Sequence, residues 1–139
     1  MNHYGAIEAG GTNFICAIGN DQGEIIKKEI FKTTDPENTI PKAINFFATY
    51  NAKTPLTSLG IGCFGPVDLH KESTTYGQIT STPKPGWNHY NIVKAFKNVF
   101  PIPIGFDTDV NGAALGEQRW GAANGLDNFI YITIGTGIG

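Results

Sequence analysis

Tyr4-Gly5-Ala6-Ile7-Glu8-Ala9-Gly10-Gly11-Thr12-Asn13-Phe14-Ile15-Cys16-Ala17-Ile18 carries two apolar runs hinged on a glycine tip. The first run, Tyr4 to Glu8, and the second, Asn13 to Ile18, read as strands, because short apolar segments bounded by glycine and small polar residues favour extended pairing. A second turn signal, Asn20-Asp21-Gln22-Gly23, leads into Glu24 to Phe31. The three runs together predict an antiparallel meander at the start of the domain.

Further on, the period changes. Asp35-Pro36 is a cap followed by proline in the first helical turn, and Ile40, Ala43, Ile44, Phe47 and Ala48 recur at helical spacing. Leu59 to Phe64 is a short apolar strand closed by Gly65-Pro66. The polar, turn-rich stretch from Asp68 to Trp87 reads as a surface excursion with a short strand at Tyr76–Thr80, and its end is stiffened by Pro83 and Pro85 and pinned by the indole of Trp87. Asn91 caps a helix running to about Asn98, and Ile102 to Phe106 is again a strand. Val110 to about Ala122 is a helix whose Gly112 and Gly116 permit close packing, and Asn128 to Ile134 is the last strand. The pattern is that of a single α/β domain over residues 1–139, with a mixed sheet flanked by helices.

Composition narrows the function. A net charge of -2, with no basic cluster longer than Lys27-Lys28, argues against a nucleic-acid binder or an anionic-membrane binder and points to a small-molecule partner. The two cysteines, Cys16 and Cys63, sit inside apolar runs and read as buried free thiols; His3, His70 and His89 are scattered, so no metal-ligand cluster is expected. The amino terminus has no secretory pattern, and a cytoplasmic location is expected.

Two features point to chemistry. A strand runs into Gly10-Gly11-Thr12 and another into Gly135-Thr136-Gly137. Glycine lets a backbone approach an anion and threonine adds a hydroxyl, so two such tips can grip a polyphosphate from both sides; each taken alone is equally an ordinary hairpin turn. Neither is a P-loop or a dinucleotide fingerprint. The second feature is Asp107-Thr108-Asp109-Val110-Asn111, where a strand passes into a helix. One acid there can face a cleft while its neighbour points elsewhere; Asp109 is the better candidate for taking a proton from an acceptor hydroxyl, the competing role being a helix cap. Glu8, at the end of the first strand, is placed to hold Mg²⁺ through its water shell or to be a plain strand-end acid.

These stretches resemble the ROK family of sugar kinases and repressors, and within it the bacterial fructokinases. The residues that carry the resemblance are Ile7-Glu8-Ala9-Gly10-Gly11-Thr12-Asn13-Phe14, Gly62-Cys63-Phe64-Gly65-Pro66-Val67-Asp68, Ile79-Thr80-Ser81-Thr82-Pro83-Lys84-Pro85-Gly86-Trp87, Asp107 to Asn111, and Thr133-Ile134-Gly135-Thr136-Gly137-Ile138-Gly139. The resemblance implies the actin-like, ribonuclease-H-like ATPase fold. It also implies transfer of the γ-phosphoryl group of ATP to a hexose, fructose first, with glucose, mannose or an N-acetylated amino sugar as alternatives. Gly10, Gly11 and Thr12 would form the first phosphate loop with Asn13 beside them, and Gly135, Thr136 and Gly137 would begin the second. Asp109 would be the base, and Gly65, Pro66, Trp87, Thr108 and Asp109 would border the sugar. Glutamate at position 8 suits the fructokinase branch, whereas Asn13 stands where that branch commonly has lysine, removing a positive charge near the phosphates.

In the family, the zinc ligands, further sugar contacts and the adenosine pocket come after the position of Gly139. The resemblance therefore implies that residues 1–139 are the N-terminal lobe, that the C-terminal lobe is absent, that Zn²⁺ belongs only to that other half, and that the lobe alone is inactive. It implies a homodimeric parent. A repressor would need a helix-turn-helix before the first strand, which starts within a few residues of Met1. A non-catalytic sugar- or nucleotide-binding module on the same fold is the reading from another class.

Overall fold

The computed structural model describes residues 1–135 and 137–139. Strands β1 (His3–Ala9) and β2 (Asn13–Asn20) pair antiparallel, with Ala9 opposite Phe14 and His3 opposite Asn20, and β3 (Ile25–Lys32) adds to β2 with Asn13 opposite Lys32. The meander read from the sequence is thus present. Helix α1 (Pro36–Asn51) then carries the chain back, so that β4 (Ser58–Cys63) lies parallel to β1. After α2 (Ile92–Lys97), β5 (Ile104–Thr108) lies parallel to β4, and α3 (Asp109–Trp120) follows directly. The sheet order is β3-β2-β1-β4-β5.

Local chemistry starts the helices where it was expected. Asp35 accepts from the Asn38 amide at 2.9 Å and Asn91 accepts from the Lys94 amide at 2.8 Å, each supplying a partner that the first helical turn lacks. Pro36 occupies the first helical turn, where no amide donor is missed. Strand alternation then decides the layers. Ile7, Ala9, Phe14, Cys16, Ile61 and Cys63 point to one face, where they are buried with Phe46 and Phe47 of α1 and Ile92, Val93 and Phe96 of α2. Burial of each large side chain in this layer contributes about 1.5–3 kcal/mol. Ala6, Glu8, Gly60 and Gly62 point to the other face, which α3 overlies without burying any residue of its own.

Cys16 and Cys63 are buried and unpaired, and burial pushes each thiol up to about 12, with the Asp109 charge adding to the rise at Cys63. Both thiols therefore stay protonated at neutral pH.

Two expected strands are not strands. Tyr76–Thr80 is reduced to the isolated bridges Val67↔Ile79 and Gln78↔Asn91. Asn128–Ile134 has the apolar, β-branched and aromatic make-up of a strand, yet Ile130 is 87% and Ile134 77% exposed. Its one ladder contact among the described residues is the bridge Ile134↔Ile138. A strand-like run becomes a strand only when a neighbour pairs with its amides and carbonyls, and among the described residues only the short turn to Gly139 pairs with this segment.

Gly86 locks the end of the long excursion. Its φ is +82°, and a Cβ there would stand 2.8 Å from Pro36 Cδ. Gly86→Ala is expected to lower stability by about 1–3 kcal/mol in urea unfolding. Gly60→Ala, whose added methyl meets nothing within 4 Å, is the near-neutral comparison.

Candidate active site

The parallel register brings three strand ends to one edge, with Ala9 beside Cys63 and Cys63 beside Thr108. The glycine turn 10–12, Gly65-Pro66 and Asp109 all leave from that edge. One residue back, Glu8, Gly62 and Asp107 form a row across the open face. Because Gly62 has no side chain, the row is two carboxylates flanking a gap. A cleft of about 550 Å³ lies between this face and α3, lined by Glu8, Gly62, Asp107 and Asp109 and floored by Ala6, Gly60 and Gly105. Gly62 also lets α3 come close: a Cβ on it would lie 3.4 Å from Asp109 Cα.

The glycine turn is a tight one. The Gly10 amide donates to the Asn13 carbonyl at 2.9 Å. A Cβ on Gly10 would meet that same carbonyl oxygen at 2.6 Å, so the chain itself requires glycine there. At Gly11 the reason differs. A Cβ on Gly11 meets nothing within 4 Å, and the residue is exposed; packing leaves the space in front of the tip empty. That open approach suits a ligand that comes close to the backbone. Thr12 and Asn13 are exposed beside it, and Lys32 stands cross-strand from Asn13.

At the head of α3 the two roles weighed for Asp109 separate. The cap is Thr108, whose Oγ1 accepts from the Asn111 amide at 3.1 Å. Asp109 is the first helical residue; its Oδ1 accepts from the Val110 amide at 3.0 Å, and its Oδ2 accepts no hydrogen bond among the described residues. Thr108 is held by this capping bond, which directs its hydroxyl into the helix. Asp107, expected to point away, lines the cleft as well, and its Oδ1 accepts from the Thr108 amide at 2.7 Å and from Asn111 Nδ2 at 2.8 Å. The spacing is itself a signal for it: residues two apart on a strand share a face, so Asp107 and Asp109 could both reach one cleft, whereas Thr108 between them could not.

Gly65 and Pro66 are exposed, as the resemblance requires of a sugar-bordering loop, and are joined by a cis bond. Trp87 differs. Its side chain is fully buried, tilted against Phe14 and edge-on to Phe64 and Tyr90 at centroid distances of 5.5–5.7 Å, and its Nε1 donates to the Thr34 carbonyl at 2.6 Å. The indole therefore supports the loop from beneath and offers no edge to a ligand. Asp68 ties the excursion together, accepting from Ser73 Oγ at 2.7 Å, Thr75 Oγ1 at 2.6 Å and the His70 amide at 2.9 Å. These donors, Thr75 first, draw its carboxyl down to about 2.

The second glycine segment forms its own small hairpin, with the Gly135 amide donating to the Gly137 carbonyl at 2.8 Å and Thr133 and Gly139 exchanging bonds at 2.9 and 3.0 Å. Thr136 lies outside the described residues. A Cβ on Gly139 would be 3.1 Å from Val110 Cγ2, which puts this hairpin next to the first turn of α3. No hydrogen bond joins it to the first glycine turn among the described residues.

A cleft at the carboxyl edge of parallel strands, with carboxylates beside a bare glycine turn, stands where open α/β sheets place their ligand sites. Residues 4–139 match the ROK family, and the chain belongs to it. It is 49% identical over 137 residues to a fructokinase of Lactococcus lactis, covering 99% of this chain and 45% of that one. A fructokinase of Streptococcus mutans is 48% identical over 136 residues, with coverage of 98% and 45%. Among solved structures, a ROK family glucokinase from Streptomyces griseus, in complex with glucose and AMPPNP, superposes with a TM-score of 0.76 at 25% identity, covering 99% of this chain and 43% of that one. The fold is thus the actin-like ATPase fold of the ROK sugar kinases, and the chain spans about half the length of the curated relatives it matches.

Asp68 makes the excursion sensitive to acid. Its carboxyl titrates lower in the folded chain than the ordinary aspartate value of about 3.9, so its contribution is complete above that value and is lost as pH falls through about 2. Proteolysis of the 68–80 stretch is expected to speed up between pH 4 and pH 2, roughly, in the native chain. In Asp68→Asn it should already be fast at neutral pH and lack that transition.

Proposed function

We propose that this chain positions ATP and an acceptor sugar in an ATP-dependent hexose kinase, with fructose the first acceptor to test. The observation that carries this is Asp109: Thr108 takes over the capping duty, leaving a carboxylate oxygen of Asp109 unengaged in the cleft that Glu8 and Asp107 also line. The relatives named fructokinase and the glucokinase fold with its nucleotide analogue support the same reading.

The chemistry follows from the placement. Asp109 accepts the proton of a sugar hydroxyl as that oxygen bonds to the γ-phosphorus of ATP, and the bond to the β–γ bridging oxygen breaks to release ADP. The open space beside Gly11 lets phosphate oxygens approach the backbone of the turn. Three carboxylates around the cleft would repel a polyphosphate by themselves. That charge pattern fits a divalent cation arriving with the nucleotide. No group of three ligating side chains is placed to hold a metal among the described residues, so Mg²⁺ fits as an ion held by water and phosphate, with Glu8 bonding its water shell. When bound, such an ion offsets charge on the transferred group. No helix among the described residues is long and apolar enough to cross a membrane. Free buried cysteines accord with a reducing, cytoplasmic setting.

The test uses the full reading frame that carries these residues, assayed for ADP release with fructose and MgATP. Asp109→Asn is expected to lower kcat by about 10²–10⁴ while fructose binding, followed by calorimetry, changes little. Unchanged turnover would sink the assignment of the base, and intact sugar binding with no turnover in the unaltered protein would favour a non-catalytic binding module.

The two glycines of the turn separate fold from binding. Gly11→Ala is expected to leave the thermal midpoint unchanged and to weaken ATP binding, because its methyl would fill only the open approach. Gly10→Ala should lose both, through the collision with the Asn13 carbonyl.

A further inference from the structure

The tip of the glycine turn is bare, but its back is braced. Thr33, the first residue after β3, donates its Oγ1 proton to the Gly10 carbonyl at 2.7 Å, and its amide donates to the Thr12 carbonyl at 2.9 Å. Both ends of the turn are thereby tied to one residue that is distant in sequence. Thr33 is itself buried, with 8% of its surface exposed, so water does not compete well for these bonds.

The brace is anchored from behind as well. Next to it, the Thr34 carbonyl accepts the buried Trp87 indole at 2.6 Å, and the Thr34 amide donates to Thr39 Oγ1 at 2.9 Å. Thr39 is fully buried in the first turn of α1. The segment at 33 and 34 is therefore fixed by the indole on one side and by the helix on the other, and it passes that rigidity to the turn through the Thr33 hydroxyl. A glycine turn with no side chains of its own needs such a partner, because glycine loses more conformational entropy than any other residue when it is ordered.

We propose that Thr33 is a positioning residue for the nucleotide: it acts through the Gly10 and Thr12 carbonyls and sets the turn in the geometry that receives the phosphates. The proposal rests on the kinase reading for its ligand, but the brace itself does not. Thr33 would not touch the substrate. Its removal should therefore appear in ATP recognition and in the mobility of the turn, while recognition of the sugar stays as it was.

The experiment uses the full reading frame that carries these residues and compares the unaltered protein with Thr33→Val, which keeps the shape and the amide but removes the hydroxyl, and with Thr33→Ser, which keeps the hydroxyl. In the valine variant, KM for ATP is expected to rise about tenfold, the scale of one lost buried hydrogen bond, with KM for fructose unchanged. Exchange of the Gly10 amide, followed by NMR without nucleotide, should accelerate by a similar factor. The serine variant should restore both. Valine values within twofold of the unaltered protein in KM for ATP would overturn the proposal, whatever the exchange rates, and so would equal rises in the KM for ATP and for fructose. If the unaltered protein shows no ATP-dependent turnover, the kinase reading fails instead; the exchange comparison then decides the brace, with unchanged Gly10 exchange in Thr33→Val refuting it.

Discussion

Parallel pairing of β1, β4 and β5 is the constraint on which the site depends, because parallel neighbours cannot be joined by a hairpin and need a crossover that covers one face of the sheet. Helix α1 meets that need by burying Phe46 and Phe47 over Ile7, Leu59 and Ile61. Once that face is buried, register is no longer free, since a slip of one residue would turn Glu8 into the core and Ile7 out of it. The same register sets Ala9, Cys63 and Thr108 side by side. Loops and helix starts distant in sequence then converge on one edge, where the ligand-binding sites of open α/β sheets lie.

At that edge, side chains are divided between holding the chain and meeting a ligand. Thr108 and Asp107 satisfy the first turn of α3, which spares Asp109. Asp68 satisfies a cluster of donors in the long excursion and leaves Gly65 and Pro66 exposed. Trp87 is spent as a buried support between Phe14 and Phe64, the residues that follow the first glycine turn and precede Gly65. The aromatic support and the threonine brace thus lie beneath the surface that the bare glycine tip presents.

Much of this could be read from the residues in order. Glycine and proline punctuation marked the strand ends, and Asp35 and Asn91 marked helix starts. Those signals are local, and each rests on backbone sterics or on side-chain periodicity that a short window contains. Where the window was insufficient, the reading missed. Asn128–Ile134 has a strand-like apolar run and is no strand here, because pairing is a property of two segments. Trp87 pins the excursion by its burial, as its place in the chain suggested, but the partners that bury it, Phe14 and Thr34, lie far from it in sequence.

The chain order of residues was therefore enough for the first three strands, the helices, the glycine turn, the acidic strand end and the family, since each is carried by a contiguous run. It could not say that Thr108 rather than Asp109 caps α3, or that Thr33 grips Gly10 and Thr12 from across the meander. Those facts depend on hydrogen bonds and packing, which exist only once strand register and helix crossing have set the distances between residues far apart in the chain.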